Sequence, residues 1–133
     1  MLLLERAARA GFWQSVTGSL DRTDEAPEDA ARREVLEETG IDARAGTLRR
    51  WPLIYTFEIY ARWRHRFAAG VTHNTEHVFS LRLPQRVDVT LAPDEHTASR
   101  WLPWTDAALA CFSWSNRDAI RILGQCARSP ALA

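Results

Sequence analysis

Residues 18–41 read GSLDRTDEAPEDAARREVLEETGI, and the second half of this stretch is predicted to be a helix with three closely spaced glutamates. Glu34, Glu37 and Glu38 are spaced i, i+3 and i+4, so they are neighbours on one helix face. Like charges in this arrangement repel each other by roughly a few tenths of a kcal/mol per exposed pair. A hard divalent cation would replace the repulsion by attraction, because Mg²⁺ takes carboxylate oxygens together with substrate phosphates. The spacing therefore indicates a metal site, and the alternative is a solvated acidic helix face.

The helix has recognisable ends and a partly buried face. Pro27 suits its first turn, and Gly40 is the residue that ends it. At about 100° per residue, Val35 lies beside Glu34 and Glu38 on the helix surface. We therefore expect these carboxylates to border the buried apolar stripe of the helix and not to lie on its solvated side.

The stretch resembles the Nudix box, a pattern written G-x5-E-x7-R-E-U-x-E-E-x-G-U in which U is an aliphatic residue. Seven residues separate Glu25 from Arg33, as the pattern requires. Six residues, instead of five, separate Gly18 from Glu25, which we interpret as a one-residue insertion in a loop that tolerates changes in length. A match at so many positions is highly specific. The residues in register from the arginine onwards are Arg33, Glu34, Val35, Glu37, Glu38, Gly40 and Ile41.

The resemblance implies a role for each charged residue of the box. Arg33 is expected to orient a glutamate such as Glu25 without touching phosphate, and its alternative is an ordinary surface arginine. Glu95 matches a metal-binding glutamate outside the box, although a lone glutamate in a loop is normally just solvated. The implied cofactor is Mg²⁺, with Mn²⁺ as its substitute. The expected metal ligands are Glu34, Glu37, Glu38 and Glu95, and the expected catalytic residues are Arg33, Glu34, Glu37 and Glu38.

Outside the box, the similarity covers nearly the whole chain and includes Phe12–Gly18, Phe57–Ile59, Gly70–Thr72 and Trp114–Arg117. These segments resemble the bacterial branch of the family that hydrolyses dihydroneopterin triphosphate to dihydroneopterin monophosphate and pyrophosphate in folate synthesis. Glu58 is the expected reader of the pterin edge, since a carboxylate can accept paired N–H donors. The alternative for this segment is a core strand with its polar side exposed. The resemblance implies substrate contacts at Arg6, Thr17, Phe57, Glu58, Ile59, Tyr60 and Ser113.

Two other functions stay open on the sequence alone. One is a Nudix pyrophosphohydrolase that acts on a (d)NTP or another nucleoside diphosphate derivative. The other is a non-catalytic Nudix-type binding module, although such modules usually lose the box carboxylates that this chain keeps. The basic segment Arg62–Arg66 is interpreted as a loop that grips a triphosphate, and its alternatives are an RNA-binding surface and a solvated loop.

Composition limits the partners. The 133 residues predict one domain over 1–133, and a formal net charge of zero argues against a nucleic acid or an anionic membrane as partner. We predict a small-molecule pterin or nucleoside triphosphate as ligand and no protein partner. Cys111 and Cys126 form neither a disulfide framework nor a metal-binding spacing, and no signal peptide is visible, so we expect reduced thiols and a cytoplasmic location.

The pattern of strands and helices predicts an α/β protein, and the resemblance implies the Nudix α/β/α sandwich with a mixed sheet. Ser115 is the predicted cap of the last helix. The predicted strands are Met1–Leu4, Trp13–Thr17, Thr47–Tyr60, His77–Leu83, Val87–Leu91 and Ala98–Leu102. The predicted helices after the box are Thr105–Phe112 and Ser115–Gln125.

The related enzymes begin with a further strand, which carries a substrate-contacting lysine, ahead of the part that matches Met1–Arg6. Either Met1 is not the natural start, or the protein is a trimmed variant with an incomplete sheet. In the present form, the sheet lacks that first strand. We therefore expect an unpaired apolar strand edge beside Met1–Leu4, which would favour self-association.

Overall fold

The computed structural model describes residues 1–127 and contains five strands and three α-helices within them. The elements are β1 (Leu2–Arg6), β2 (Trp13–Gln14), α1 (Pro27–Thr39), β3 (Thr47–Glu58), β4 (His73–Arg82), β5 (His96–Trp101), α2 (Trp104–Ala110) and α3 (Trp114–Cys126). Short 3₁₀ turns cover Ala43–Ala45 and Ala61–Arg66. None of the helices within residues 1–127 is long and apolar enough to cross a membrane.

The strands form a three-stranded sheet in the order β2-β1-β5 and a separate β3-β4 hairpin, and all of these pairs are antiparallel. A parallel bridge joins Trp13 to Cys111. β1 is the middle strand of its sheet: it pairs with β5 along its whole length, while Leu4 and Glu5 also pair with β2. The expectation of an unpaired edge beside Met1–Leu4 is therefore wrong at Leu4, which the chain covers by turning back after Arg6, whereas the pairing with β2 does not extend to Leu2 and Leu3.

Both faces of β1 are buried. Leu3 packs with residues of α2 and α3, and it has no exposed surface. Leu4, which points to the opposite face because side chains alternate along a strand, is also fully buried. The sheet is therefore covered on both sides, as expected for a layered α/β fold. The apolar cluster comprises Leu3, Trp13, Ala107, Ala108, Cys111 and Ile120.

Helix α1 has the ends that the sequence predicts. Pro27 occupies its first turn, and Gly40 adopts the left-handed conformation (φ 69°) while its N–H bonds to the carbonyl of Leu36. The side chain of Leu36 is 52% exposed, whereas Ala30 and Glu38 are buried. The helix thus buries a carboxylate in preference to its leucine, which stability alone would not favour.

Two local predictions are wrong. Residues 87–91 do not form a strand; instead, the N–H groups of Thr90 and Ala92 bond to the carbonyls of Thr39 and Glu38 at the end of α1. These carbonyls have no partner within the helix, so the segment completes the helix end and not a sheet. The cap of α3 is Ser113 and not Ser115, which lies two residues later in the first turn, where its buried hydroxyl donates to Glu76.

The contact between α2 and α3 requires a residue without a side chain. A Cβ at Gly124 would lie 2.3 Å from Cδ2 of the Trp104 indole. Replacing glycine by alanine in a helix normally stabilises it by about 0.5–1 kcal/mol, but here the methyl group collides with a ring. We expect Gly124→Ala to lower the free energy of unfolding by about 1–3 kcal/mol in urea titrations. The exposed neighbour variant Gln125→Ala should change it by less than about 0.5 kcal/mol, and a stabilised Gly124→Ala protein would contradict this packing.

Candidate active site

A cleft of about 200 Å³ opens at the edge of the sheet where β1 ends and β5 begins. Arg6 and His96 pair across these two strands, and Gln14 ends β2 beside them. The C-terminal half of α1 contributes Glu38 from the other side. Its lining residues are Arg6, Ala8, Gln14, Thr17, Glu38, Asp94, Glu95 and His96.

Glu38 is the buried acid of this cleft, with only 1% of its surface exposed. Burial, and to a lesser extent the negative charges of Glu95 and Glu34, raise its pKa to about 8. Its Oε2 lies 2.8 Å from Nε2 of His96, whose pKa is lowered by burial. A neutral imidazole therefore faces a carboxyl group that is hard to ionise without a nearby cation.

These donor groups fit a divalent cation. One ligand atom each from Glu38, Glu95 and His96 can be chosen so that all three lie within 4.8 Å of one another. Carboxylate oxygens are the preferred ligands of Mg²⁺ and Mn²⁺, and a cation between them would offset the repulsion that raises the pKa of Glu38. Of the four predicted metal ligands, Glu38 and Glu95 belong to this cluster and Glu34 and Glu37 do not, while His96 joins it without having been predicted.

Glu34 is held beside this cleft by the loop before α1. Its Oε1 accepts hydrogen bonds from the backbone N–H of Ser19 (3.1 Å) and from Nη1 of Arg33 (2.9 Å). A Cβ at Gly18 would lie 2.0 Å from Cδ of Glu34. Gly18, the first glycine of the box, is thus needed because the Glu34 side chain occupies the space that the Cβ of any other residue at position 18 would fill.

Arg33 binds glutamates, as the sequence predicted. It grips Glu25 with two bonds, from Nε to Oε1 (3.0 Å) and from Nη2 to Oε2 (3.2 Å). Its Nη1 also contacts Oε2 of Glu37 at 3.1 Å, in addition to Glu34. Hydrogen bonding to Arg33 lowers the pKa of Glu25. Arg33 therefore connects three box carboxylates, and Glu37, half exposed, is the outermost of them.

The extra residue of the loop lies on the surface. Arg22, Thr23 and Asp24 are exposed, and the loop closes on Glu25, whose Oε2 accepts from the N–H of Asp21 at 2.7 Å. The insertion therefore lengthens an exposed turn and leaves the Arg33–Glu25 contact in place.

The predicted substrate residues fall into three places. Arg6 and Thr17 line the acidic cleft together with Glu38 and Glu95. Residues 57–60 line a second cleft of about 180 Å³, which we call the aromatic cleft. Ser113 lines neither cleft, because its hydroxyl caps α3 by accepting from the N–H of Asn116. The aromatic cleft is lined by Phe57, Glu58, Ile59, Tyr60, Trp63, Arg66, Phe67 and Asn74.

Several lining residues had no role in the sequence analysis. Gln14 is buried in the acidic cleft and donates from Nε2 to Oγ1 of Thr17 at 3.0 Å. Its position in a short strand next to a tryptophan gave no functional signal. Asn74 reaches the aromatic cleft because the hairpin register places it opposite Phe57. Such a pairing between distant residues cannot be read from local pattern.

Residues 1–122 match the NUDIX domain family. The chain belongs to the Nudix family of hydrolases, which typically use a divalent metal and act on a small phosphate-containing substrate, and the Nudix α/β fold predicted from the sequence is confirmed.

Among curated proteins, the chain is similar to dihydroneopterin triphosphate diphosphatase of Escherichia coli (strain K12), with 46% identity over 122 residues, 90% of this chain and 79% of that protein. The protein of the same name from Haemophilus influenzae is 31% identical over 123 residues, 91% of this chain and 76% of its own. Among solved structures, the E. coli dihydroneopterin triphosphate pyrophosphohydrolase superposes with a TM-score of 0.82 at 44% identity, covering 93% of this chain and 84% of that one.

Gly18→Ala tests the close approach between the loop and Glu34. Because the colliding atoms are at the end of a flexible side chain, we expect Glu34 to move and the fold to persist. The rate of phosphoanhydride hydrolysis should fall roughly 10- to 100-fold, while the free energy of unfolding changes by less than about 1 kcal/mol. The exposed loop variant Thr23→Ala is the control and should retain the parent rate. Full activity of Gly18→Ala would show that Glu34 is not needed in its present position.

The raised pKa of Glu38 makes the stability of the metal-free protein depend on pH. Since its folded-state pKa of about 8 is above the ordinary value of 4.5, the protonated form is favoured by folding. The stability that the protonated Glu38 contributes to the folded protein is fully present below pH 4.5 and is lost as the pH rises through 8. Between pH 5 and pH 8, we expect a loss on the order of a few kcal/mol relative to Glu38→Gln, measured by urea unfolding in a chelator. Addition of Mg²⁺ should restore the free energy of unfolding of the parent protein at pH 8. Parallel pH profiles for the two proteins would contradict the assignment.

Proposed function

We propose that this protein hydrolyses dihydroneopterin triphosphate to dihydroneopterin monophosphate and pyrophosphate with Mg²⁺ as its cofactor, and that Mn²⁺ can replace it. The observation that carries the proposal is the single cleft in which Arg6 and Thr17 face Glu38 and Glu95. A phosphate-binding arginine beside an acidic metal site is the arrangement that a pyrophosphohydrolase needs. The names of the relatives at 46% and 31% identity support the choice of substrate.

The carboxylates are proposed to hold the metal. Glu34, Glu38 and Glu95 would be its main ligands, because the charges of Glu95 and Glu34 already act on the buried carboxyl group of Glu38. Glu37 is more exposed and would act as an outer ligand or a base for water. A divalent cation bound there supplies neutralising charge for phosphate oxygens and lowers the pKa of a water molecule.

The other residues of the cleft are proposed to bind and orient. Arg6 carries a planar fork of donors that suits phosphate oxygens, and its end of β1 is fixed by the sheet. The hydroxyl of Thr17 is fixed by Gln14 and points to the same cleft. Arg33 is bonded to three glutamates, so its proposed role is to position carboxylates and not to bind substrate.

The aromatic cleft is proposed to receive the pterin ring. Phe57, Tyr60 and Trp63 offer flat apolar surface around it, and Glu58 offers a carboxylate at the same place. Ile59 is buried at its base and exposes its carbonyl oxygen there to a donor. The basic turn Ala61–Arg66 lies on this cleft, so its proposed partner is the substrate and not RNA.

Product analysis with a panel of triphosphates tests the proposal. We expect release of pyrophosphate, and not of single phosphates, with a kcat/KM for dihydroneopterin triphosphate at least about tenfold above that for ATP, dATP or dGTP. Equal or better turnover of a nucleoside triphosphate would assign the protein to nucleotide hydrolysis instead. No turnover of any triphosphate would indicate a binding module.

Glu38→Gln tests the metal role within the same assay. It removes a charge but little volume, so we expect a folded protein whose kcat/KM is about two to three orders of magnitude lower. Glu28→Gln, in the first turn of the same helix, is the matched control and should retain the parent rate. Parent-like activity of Glu38→Gln, or full activity in excess chelator, would exclude the proposed metal site.

A further inference from the structure

Two residues that line the aromatic cleft, Glu58 and Ile59, are already bonded to a planar donor group, the guanidinium of Arg64. The 3₁₀ turn Ala61–Arg66 follows β3 directly and folds the Arg64 side chain back onto the end of that strand. Its Nη2 lies 2.5 Å from Oε1 of Glu58, and its Nε donates to the carbonyl of Ile59 at 3.0 Å. One guanidinium therefore occupies two adjacent acceptors, and both belong to residues that line the cleft.

The other backbone bonds of this region fix Ile59 and the turn independently of the Arg64 side chain. The N–H of Ile59 is bonded to the carbonyl of Thr72, so the backbone of Ile59 is fixed with its oxygen towards Arg64. The turn itself is closed by the N–H groups of Trp63 and Phe67, which bond to the carbonyls of Tyr60 and Arg64. The turn therefore keeps its own backbone bonds when the Arg64 side chain leaves.

The chemistry of the two acceptors matches one particular ring edge. A guanidinium presents two N–H donors on a planar N–C–N unit. The 2-amino-4-oxopyrimidine edge of a pterin, or of guanine, presents the same unit through its ring N–H and its 2-amino group. Adenine lacks it, because its amino donor lies next to a ring nitrogen that accepts.

We propose that the Arg64 guanidinium is an internal substitute for this ring edge, and that binding of a 2-amino-4-oxopyrimidine ring displaces it from Glu58 and Ile59. Arg64 is then a specificity-determining residue: rings that present the paired donors replace its bonds, and rings that lack them leave the acceptors to Arg64. The identity of the substrate as a pterin rests on the function proposed above. The displacement of Arg64 by a ring with paired donors does not depend on it.

The contact is suited to exchange because it is only partly shielded. The side chains of Arg64 and Glu58 are 35% and 67% exposed. Exposed ion pairs are weak, so displacement costs little, while the released guanidinium regains water. A buried pair would close the cleft to every ligand.

The test compares Arg64→Met with the parent on three substrates. We expect KM for dihydroneopterin triphosphate and for GTP to fall roughly two- to fivefold, the scale of an exposed ion pair, and KM for ATP to stay the same. The matched control is Arg121→Met, at an exposed position of α3. In a Glu58→Ala background, the further change Arg64→Met should no longer lower KM for GTP.

Arg64→Lys provides a second variant with an unchanged charge. One ammonium group cannot reproduce two coplanar donors, so its KM values should lie between those of the parent and Arg64→Met. Unchanged or raised KM for GTP and dihydroneopterin triphosphate in both variants, or an equal fall for ATP, would overturn the inference. If the parent preferred ATP, the proposed function would be refuted but not the role of Arg64. The KM values of the Arg64 variants for GTP and ATP would still test that role.

Discussion

The burial of Glu38 next to Glu34 and Glu95 is the constraint on which the rest of this structure depends. A carboxyl group with almost no exposed surface stays ionised only when a positive charge compensates the lost water. The surroundings supply little of that charge: Arg33 is bonded to Glu25, Glu34 and Glu37, and the charge of Arg6, which lines the cleft, lowers the pKa of Glu38 less than burial raises it. Without a cation, this arrangement lowers the stability of the folded protein, which supports the metal site proposed above.

The fold offsets this cost at the ends of α1. Gly40 and the backbone of residues 90–92 satisfy the last carbonyls of the helix, and the Arg33–Glu25 pair anchors the loop in front of it. These contacts hold the helix although its buried side includes a carboxylate and its Leu36 is exposed. The absence of a Cβ at Gly18 then lets Glu34 approach the loop backbone.

The sequence predicted the helix, its ends and the Arg33–Glu25 contact, because each depends on residues fewer than ten positions apart. It also predicted that Arg6 and Thr17 belong to the site, and the structure places both in the cleft with Glu38. The sequence did not predict backbone hydrogen bonds whose partners are distant along the chain. Residues 87–91 alternate as a strand does, yet their N–H groups bond to a helix end. Arg64 is a separate case: Glu58 is only six residues away, but their contact depends on the 3₁₀ turn Ala61–Arg66, which the sequence analysis did not predict.

The two clefts suggest a division of roles, with chemistry in the acidic cleft and ring recognition in the aromatic cleft. The central claim is that the buried carboxylates are a metal site. Anomalous diffraction from crystals grown with Mn²⁺ tests it most directly. The account predicts a peak about 2–2.5 Å from carboxylate oxygens of Glu38 and Glu95, with Glu34 in its coordination sphere or one water away. No peak in this cleft at saturating Mn²⁺, or a peak bound elsewhere on the chain, would contradict it.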